Sequence, residues 1–179
     1  RGNMAREYAR YVPKSSGKYY GAYRMGDIMF VVLDCGEDKP DDFWVYAGLT
    51  DFDGYRTEQA AWFGKLIRSK AYKSAKWRIV MNHFPPLSHM EGDNPERHGI
   101  QDITDKFLPL YNQAKIDLMI SGHTHAYEFM SPDKYDRLTF PVIVNSTESV
   151  ARIDIDGRTL KAKVTDTGGN TLKEFTISK

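Results

Sequence analysis

Five histidines supply most of the side chains in this sequence that can do chemistry, and two of them stand one residue apart. His123 and His125 belong to the run Ser121-Gly122-His123-Thr124-His125, which directly follows the apolar run 116–120. An apolar run that stops at a Ser-Gly pair is typical of a buried strand that ends in a turn. Because alternate side chains of an extended backbone point the same way, we expect both imidazoles to converge on one point.

A third histidine, His83, follows another apolar run, residues 77–81. If the two runs form neighbouring strands, His83, His123 and His125 meet at one edge of a sheet. Neutral imidazole is the commonest metal ligand among side chains, and three imidazoles with a water form a competent catalytic zinc site. Such a metal ion lowers the pKa of its water to about 7. The three histidines therefore predict metal-assisted hydrolysis.

The other titratable residues give weaker signals. His89 and His98 lie in a polar loop and are expected to be solvated. His98, just before a helix start, is nevertheless a minor candidate for contacting a substrate phosphate. Asp34 ends a predicted strand, a position where Asp usually caps a turn. Cys35 has no base beside it in the sequence, so a nucleophilic role is not indicated.

The composition is that of a globular protein. The chain has 179 residues, of which 41% are hydrophobic, and a formal net charge of +1. This balance gives no argument for binding nucleic acid or an anionic membrane surface. No apolar run approaches the roughly 20 residues that span a bilayer. A single cysteine excludes an internal disulfide framework and leaves the cellular compartment undetermined.

The elements that must position the histidines alternate between strands and helices. We predict a short helix at 4–11, strands at 19–24, 28–33, 77–81 and 116–120, helices at 57–69 and 100–113, and loops at 34–56 and 87–99. Pro109 should bend or interrupt the second long helix. This order is typical of a parallel βαβαβ core. Right-handed crossovers then put Asp34, His83 and His123 at the carboxyl edge of the sheet, where α/β proteins place their sites.

From residue 127 onward the pattern changes to short strands separated by turn signals such as Asp156-Gly157. We predict antiparallel hairpins built from strands at 127–130, 141–145, 150–155, 159–165 and 172–177. The sequence shows no internal repeat and no linker. The fold class is therefore α/β, with a parallel core and antiparallel carboxyl-terminal strands in one domain.

Two motifs together resemble those of the calcineurin-like metallophosphoesterases, the superfamily that includes the purple acid phosphatases. They are Asn82-His83-Phe84-Pro85-Pro86 at one strand end and Gly122-His123-Thr124-His125 at the next, with Ala126-Tyr127-Glu128 after them. The pair is more specific than either motif alone. The resemblance covers the chain from residue 19 onward. It implies that the chain forms part of the four-layer sandwich of that superfamily.

The resemblance also implies a site and an activity. The superfamily uses two divalent or trivalent metal ions, such as Mn, Fe or Zn, to hydrolyse a phosphomonoester or phosphodiester by attack of a metal-bound hydroxide. By resemblance, His83 and His123 would bind one ion and His125 the other. The remaining ligands and the general acid belong to three earlier motifs that this sequence lacks. No catalytic residue is therefore expected within these 179 residues.

The missing motifs lead to an expectation about the chain as a whole. We expect residues 1–179 to be the carboxyl-terminal part of a single metallophosphoesterase domain. Because neutral imidazoles cannot hold two cations about 3.5 Å apart, the segment alone should bind at most one metal ion and be inactive. Surface left uncovered by the missing part would favour self-association. Under a minority alternative, residues 1–5 are a decayed motif in which Asn3 is a ligand.

Two other functions remain open at this point. The chain can be a non-catalytic binding or assembly module that keeps the fold, or a mononuclear zinc hydrolase built on the three histidines. The second alternative lacks a clearly positioned carboxylate to act as general base. The sequence does not indicate which phosphate ester would be the substrate.

Overall fold

The structure is a computed structural model that describes residues 18–87, 89 and 94–179. The predicted helix at 4–11 and the alternative ligand Asn3 lie outside these residues. The strands are β1 (Gly21–Met25), β2 (Ile28–Val32), β3 (Trp77–Met81), β4 (Leu118–Ser121), β5 (Glu128–Met130), β6 (Val142–Val144), β7 (Ser149–Asp156), β8 (Thr159–Asp166) and β9 (Thr171–Ser178). The helices are α1 (Phe52–Leu66), α2 (Lys70–Lys73) and α3 (Arg97–Gln113), with a 3-10 helix at Trp44–Tyr46.

The main sheet has six strands in the order β1-β2-β3-β4-β6-β5. Its four inner strands are parallel, and the two outer strands are antiparallel to their neighbours. The predicted parallel core and the α/β fold class are therefore confirmed. The remaining strands, β7, β8 and β9, form a separate antiparallel sheet.

Strand β6 pairs antiparallel with β5, as predicted, but it also pairs in parallel with β4, which was not predicted. The connection between β5 and β6 is too long for a tight hairpin, and it buries Leu138 and Phe140 in the core. It returns the chain from the edge strand β5 to β6, which lies between β5 and β4. As a result, β6 adds a fourth strand end to the carboxyl edge of the sheet.

Helix α1 begins at Phe52, five residues before the predicted start at Thr57. Two carboxylates explain the difference, because they satisfy free N–H groups of the first turn. Asp51 accepts from the N–H of Gly54 at 3.0 Å, and Asp41 accepts from the N–H of Phe52 at 2.7 Å. Similarly, α3 begins at 97 instead of 100, and Pro109 lies inside it without ending it.

The main sheet is covered on both faces. Helices α1 and α3 bury one face, where Val80 and Met119 join Phe63 and Phe107. The antiparallel sheet buries the other face, largely through its middle strand β8. Coverage of both faces explains why the inner strands are continuously apolar. None of the helices in the described part of the chain has the length and apolar character needed to cross a bilayer.

Candidate functional site

An open cavity of about 490 Å³ lies at the carboxyl edge of the main sheet. The parallel direction of β2, β3, β4 and β6 brings their ends together there. The cavity is lined by Val32, Leu33, Met81, Asn82, His83, Ile120, Ser121, Gly122, His123, His125, Asn145, Ser146 and Thr147. All three histidines predicted as metal ligands are therefore in its wall.

His83 and His123 are the two imidazoles that the fold brings close together. Their ring centroids are 5.2 Å apart, with ring planes at 83°. The Phe84 ring packs against His123 with a centroid distance of 4.5 Å. The N–H of Gly122 donates to the carbonyl oxygen of His83 at 3.0 Å, which ties the two turns together. The positions of both rings are therefore fixed by adjacent central strands.

The backbone at the second motif differs from the extended form that we expected. Strand β4 ends at Ser121, and His123 and His125 have φ angles of 73° and 57°, in the left-handed region. Left-handed backbone is uncommon for residues other than glycine, and it clusters at functional sites. His125 is exposed and shares the cavity with the other two histidines. The turn, and not strand alternation, sets where these imidazoles lie.

The described residues contain no group of three His, Cys, Asp or Glu side chains that could hold a metal ion. Among the described residues, the cavity lining contains no carboxylate. Asp34, a carboxylate at the end of β2, accepts from the N–H of Gly36 and from the hydroxyl of Tyr55, each at 3.1 Å. This bonding confirms its predicted role in capping a turn. Imidazole donors alone carry no negative charge and therefore do not fit a pair of cations.

The electrostatic environment keeps His123 suited to metal binding. Burial, followed by the charge of His83, lowers the pKa of His123 below its usual value, while Asp38 and Glu96 act in the opposite direction. A lowered pKa favours the neutral imidazole, which is the form that binds metal ions.

Asn82 is a cavity residue whose role the sequence did not reveal. Asn82 is only 3% exposed, and its Nδ2 donates to the carbonyl oxygen of Phe84 at 3.1 Å. This bond fixes the orientation of the amide, because only the nitrogen can donate. Its Oδ1 atom is buried with no hydrogen-bond partner among the described residues. An unpaired buried acceptor costs about 1–3 kcal/mol, so a donor that reached this oxygen would stabilise the site.

Residues 145–147 form a second part of the wall that sequence reasoning missed. The N–H of Asn145 donates to the carbonyl oxygen of Ser121 at 2.8 Å, and its Oδ1 accepts from Ser149 at 2.8 Å. These bonds hold Ser146 and Thr147 at the cavity rim. The apolar run before Asn145 was a usable signal, but only if β6 is recognised as a parallel strand.

The other candidate residues lie outside the cavity wall. His98 places Nε2 2.9 Å from both carboxylate oxygens of Asp53, and His89 places Nε2 3.0 Å from Glu128. Each imidazole therefore contacts a carboxylate, and the His89 side chain is 60% exposed, as expected for a solvated residue, while that of His98 is 35% exposed. Cys35 is buried, and burial raises its pKa to about 12, so the thiol stays protonated near neutral pH.

Comparisons with known proteins agree with this arrangement. The family model for calcineurin-like phosphoesterases matches residues 1–127. Probable purple acid phosphatase 20 of Arabidopsis thaliana is 29% identical over 99 residues, covering 54% of this chain and 22% of that protein. Purple acid phosphatase 22 of Arabidopsis thaliana is 30% identical over 79 residues, covering 44% of this chain and 17% of that protein.

A solved structure shares the fold. The purple acid phosphatase PPD1 from yellow lupin (Lupinus luteus) seeds superimposes with a TM-score of 0.63 and 16% identity, covering 94% of this chain and 34% of that one. The chain thus spans about a fifth of the curated relatives' length and about a third of the lupin enzyme. The match to more than half of the sequence, together with the shared fold, shows that the chain belongs to the calcineurin-like phosphoesterase family.

Proposed function

We propose that this chain forms part of a metal-dependent phosphoesterase and supplies histidine ligands to its metal centre. The observation that carries the proposal is the pair of imidazoles from His83 and His123, whose centroids lie 5.2 Å apart above two neighbouring parallel strands. The phosphoesterase family and the purple acid phosphatase relatives support hydrolysis of a phosphate ester. Metal dependence is part of the proposal.

Different cavity residues would bind the metal ions, orient a water or substrate hydroxyl, and contact the phosphate group. As the resemblance implies, His83 and His123 would bind one metal ion of the complete centre and His125 would bind the other. When bound, a metal ion supplies Lewis acidity toward the phosphate ester and the attacking water. Asn82 presents a fixed acceptor that can orient a water or a substrate hydroxyl. Ser146 and Thr147 line the opposite rim, where hydroxyl groups can donate to phosphate oxygens.

We further propose that the 179 residues alone bind one ion at most and are inactive. The carboxylate-free cavity supports this proposal, since a pair of cations needs negative ligands. The general acid and the remaining ligands would then come from elsewhere in a longer protein, and together with them residues 1–179 would make up one metallophosphoesterase domain. The same feature weighs against a mononuclear zinc hydrolase, because no carboxylate among the described cavity residues lies in position to act as general base.

The first test measures metal binding directly. The purified chain is dialysed against Zn²⁺ or Mn²⁺, and the bound metal is measured by mass spectrometry. We expect up to one equivalent in the wild type and its loss in His83→Ala and His123→Ala. The control His89→Ala, which changes a histidine outside the cavity, should keep the wild-type content. Equal metal content in all four proteins would refute the assigned ligands.

The second test measures activity. The chain and a longer version that carries the upstream motifs are assayed on p-nitrophenyl phosphate with the same metal ions. We expect turnover only with the longer version. Turnover by the 179 residues alone would contradict the proposed division of the site. An inactive longer version would favour a non-catalytic binding module that keeps the fold.

A further inference from the structure

The loop between β2 and α1 exposes large apolar side chains to solvent. Trp44, Val45 and Leu49 are exposed to 80%, 53% and 87%. Three of the seven large hydrophobic residues that are exposed in the described part of the chain therefore fall within six positions. Scattered exposed apolar residues are ordinary, but a cluster that includes an exposed tryptophan is typical of a binding surface. We call residues 37–53 the Trp44 loop.

The Trp44 loop is anchored to the body of the protein. The carboxylate of Asp41 binds the N–H groups of Phe52 and Asp53 at 2.7 and 2.9 Å. The Tyr46 ring packs against the Phe52 ring with a centroid distance of 5.7 Å. The carbonyl oxygen of Asp38 accepts from the N–H of Gly99 at 2.6 Å. Because these contacts already fix the loop, the loop would lose little conformational entropy when a partner binds.

The Trp44 loop is also the acidic part of a nearly neutral protein. It carries six carboxylates and one lysine, whereas the whole chain has a formal net charge of +1. Asp38 pairs with Lys39, and Asp53 pairs with Arg56. Three other carboxylates have no salt-bridge partner among the described residues, namely Asp41, Asp42 and Asp51. Asp41 and Asp51 accept hydrogen bonds from N–H groups at the start of α1, and Asp42 is exposed. The exposed apolar side chains therefore lie within an acidic segment.

This combination selects one class of partner. A second copy of the loop would bring like charges together, and anionic lipid headgroups would be repelled. We propose that the Trp44 loop is a docking surface for a basic segment of another protein that carries a large apolar residue. The apolar residue would pack on Trp44 and Leu49, and lysines or arginines of the segment would face the carboxylates of the loop. The cavity lining contains no residue of this loop, so the inference does not depend on the proposed activity.

The test uses the whole 179-residue chain and an array of 12-residue peptides in which charge and apolar content vary independently. We expect binding only to peptides that combine several lysines or arginines with a large apolar residue. The double variant Trp44→Ala, Leu49→Ala should weaken binding at least about tenfold, as the loss of interface hot spots does. The control Val150→Ala removes an exposed apolar side chain from β7 and should bind like the wild type. Circular dichroism confirms that each variant is folded.

The inference would be overturned by an absence of binding to any peptide, by equal binding of acidic peptides or by wild-type binding of the double variant. Tighter binding to anionic lipid vesicles than to any peptide would also overturn it. Residues 1–17 of the chain carry four basic residues and one glutamate, so a peptide of that sequence is included in the array. If that peptide binds best, the partner is the chain itself and the proposal of another protein is refuted. A dimer that the double variant abolishes would likewise assign the surface to a second copy.

Discussion

Arg56 shows how one side chain can hold several segments around the site. Its guanidinium is fully buried, and it donates to Asp102 at 2.6 Å and to the carbonyl oxygens of Cys35 and Glu37 at 2.8 and 3.1 Å. It also pairs with Asp53. A buried charge is tolerated when its polar atoms are paired, and here each of the three guanidinium nitrogens has at least one acceptor. The chain after β2 is thereby attached to both long helices.

We predict that Arg56→Met lowers the free energy of unfolding by about 3–5 kcal/mol, because it leaves Asp102 and Asp53 without the buried partner that compensates them. Urea denaturation followed by circular dichroism measures the change. The control is Arg152→Met, whose pair with Asp154 is exposed and should contribute nothing measurable. If Arg56→Met is as stable as the control, the buried network does not stabilise the fold.

Asp41 offers a test that depends on pH. Burial works against ionisation of its carboxyl group, but hydrogen bonds from the N–H groups of Asp53 and Phe52 lower its pKa below the usual value. A pKa that is lower in the folded than in the unfolded chain stabilises the fold above about pH 4, and this contribution is lost as the pH falls through the folded pKa.

We therefore expect Asp41→Asn to be less stable than the wild type at pH 7 and closer to it at pH 3. Thermal unfolding of both proteins across this range measures the difference. The matched control Asp136→Asn changes an exposed carboxyl in the turn between β5 and β6 and should give a small difference at every pH. A constant gap between Asp41→Asn and the wild type would show that the charge of Asp41 does not contribute.

At the scale of elements, the close approach of α3 to the Trp44 loop depends on Gly99. A Cβ atom at this position would lie 2.7 Å from the carbonyl oxygen of Glu37 and 2.9 Å from Cα of Asp38. Both atoms belong to the backbone, so neither can move aside cheaply. By contrast, a Cβ atom at Gly64, inside α1, would make an ordinary contact at 3.7 Å with Leu110.

These contacts predict opposite effects for the same substitution. Gly99→Ala should destabilise the protein by about 1–3 kcal/mol through overpacking. Gly64→Ala should stabilise it by about 0.5–1 kcal/mol, because alanine loses less backbone entropy in a helix. Chemical denaturation of the two variants measures both values. Loss of stability in both would mean that helix packing is tighter than the structure indicates, and gain in both would contradict the contact at Gly99.

Sequence reasoning succeeded where hydrophobic patterning decides the structure. The run 77–81 is bounded by polar residues and is a strand over the predicted range. It failed where side chains override local pattern. The early start of α1 depends on Asp41, which lies 11 residues before Phe52, and β6 pairs in parallel with β4 because the chain first forms the edge strand β5 and then returns. Neither the capping by Asp41 nor the pairing of β6 follows from the spacing of apolar residues along the chain, so hydrophobic patterning could not predict them.

The site was predictable in the same uneven way. The proximity of His83 and His123 was predictable because parallel strands end at the same edge of a sheet. The left-handed backbone at His123 and His125 was not foreseen, since histidine in this region is uncommon and has no pattern of its own. Asn82 was passed over because only the packing around it shows that its Oδ1 lacks a partner.

At the scale of the whole molecule, two cores lie on opposite faces of one sheet. Leu160 belongs to the core under the antiparallel sheet and Phe107 to the core under the helices, and both are fully buried. The two cores share strands β3 and β4, whose successive residues face opposite sides. We therefore expect them to unfold together.

The prediction is that Leu160→Ala and Phe107→Ala each lower the free energy of unfolding, by about 2–5 kcal/mol, within a single transition. Circular dichroism and tryptophan fluorescence should give the same midpoint for each variant. The surface control Leu172→Ala should change stability by no more than about 0.5 kcal/mol. Separate midpoints for the two probes would show that the antiparallel sheet folds as an independent unit.

The strand order has a consequence for how such a protein can diversify. Neighbouring strands of any sheet lie about 4.8 Å apart, and the imidazole centroids of His83 and His123 are separated by nearly that distance, 5.2 Å. The spacing of adjacent strand ends therefore brings the two rings within contact distance, and the turn after β4 sets their final orientation. Insertions and substitutions in the surrounding segments can alter which molecules enter the cavity, while the spacing of the two strand ends stays the same.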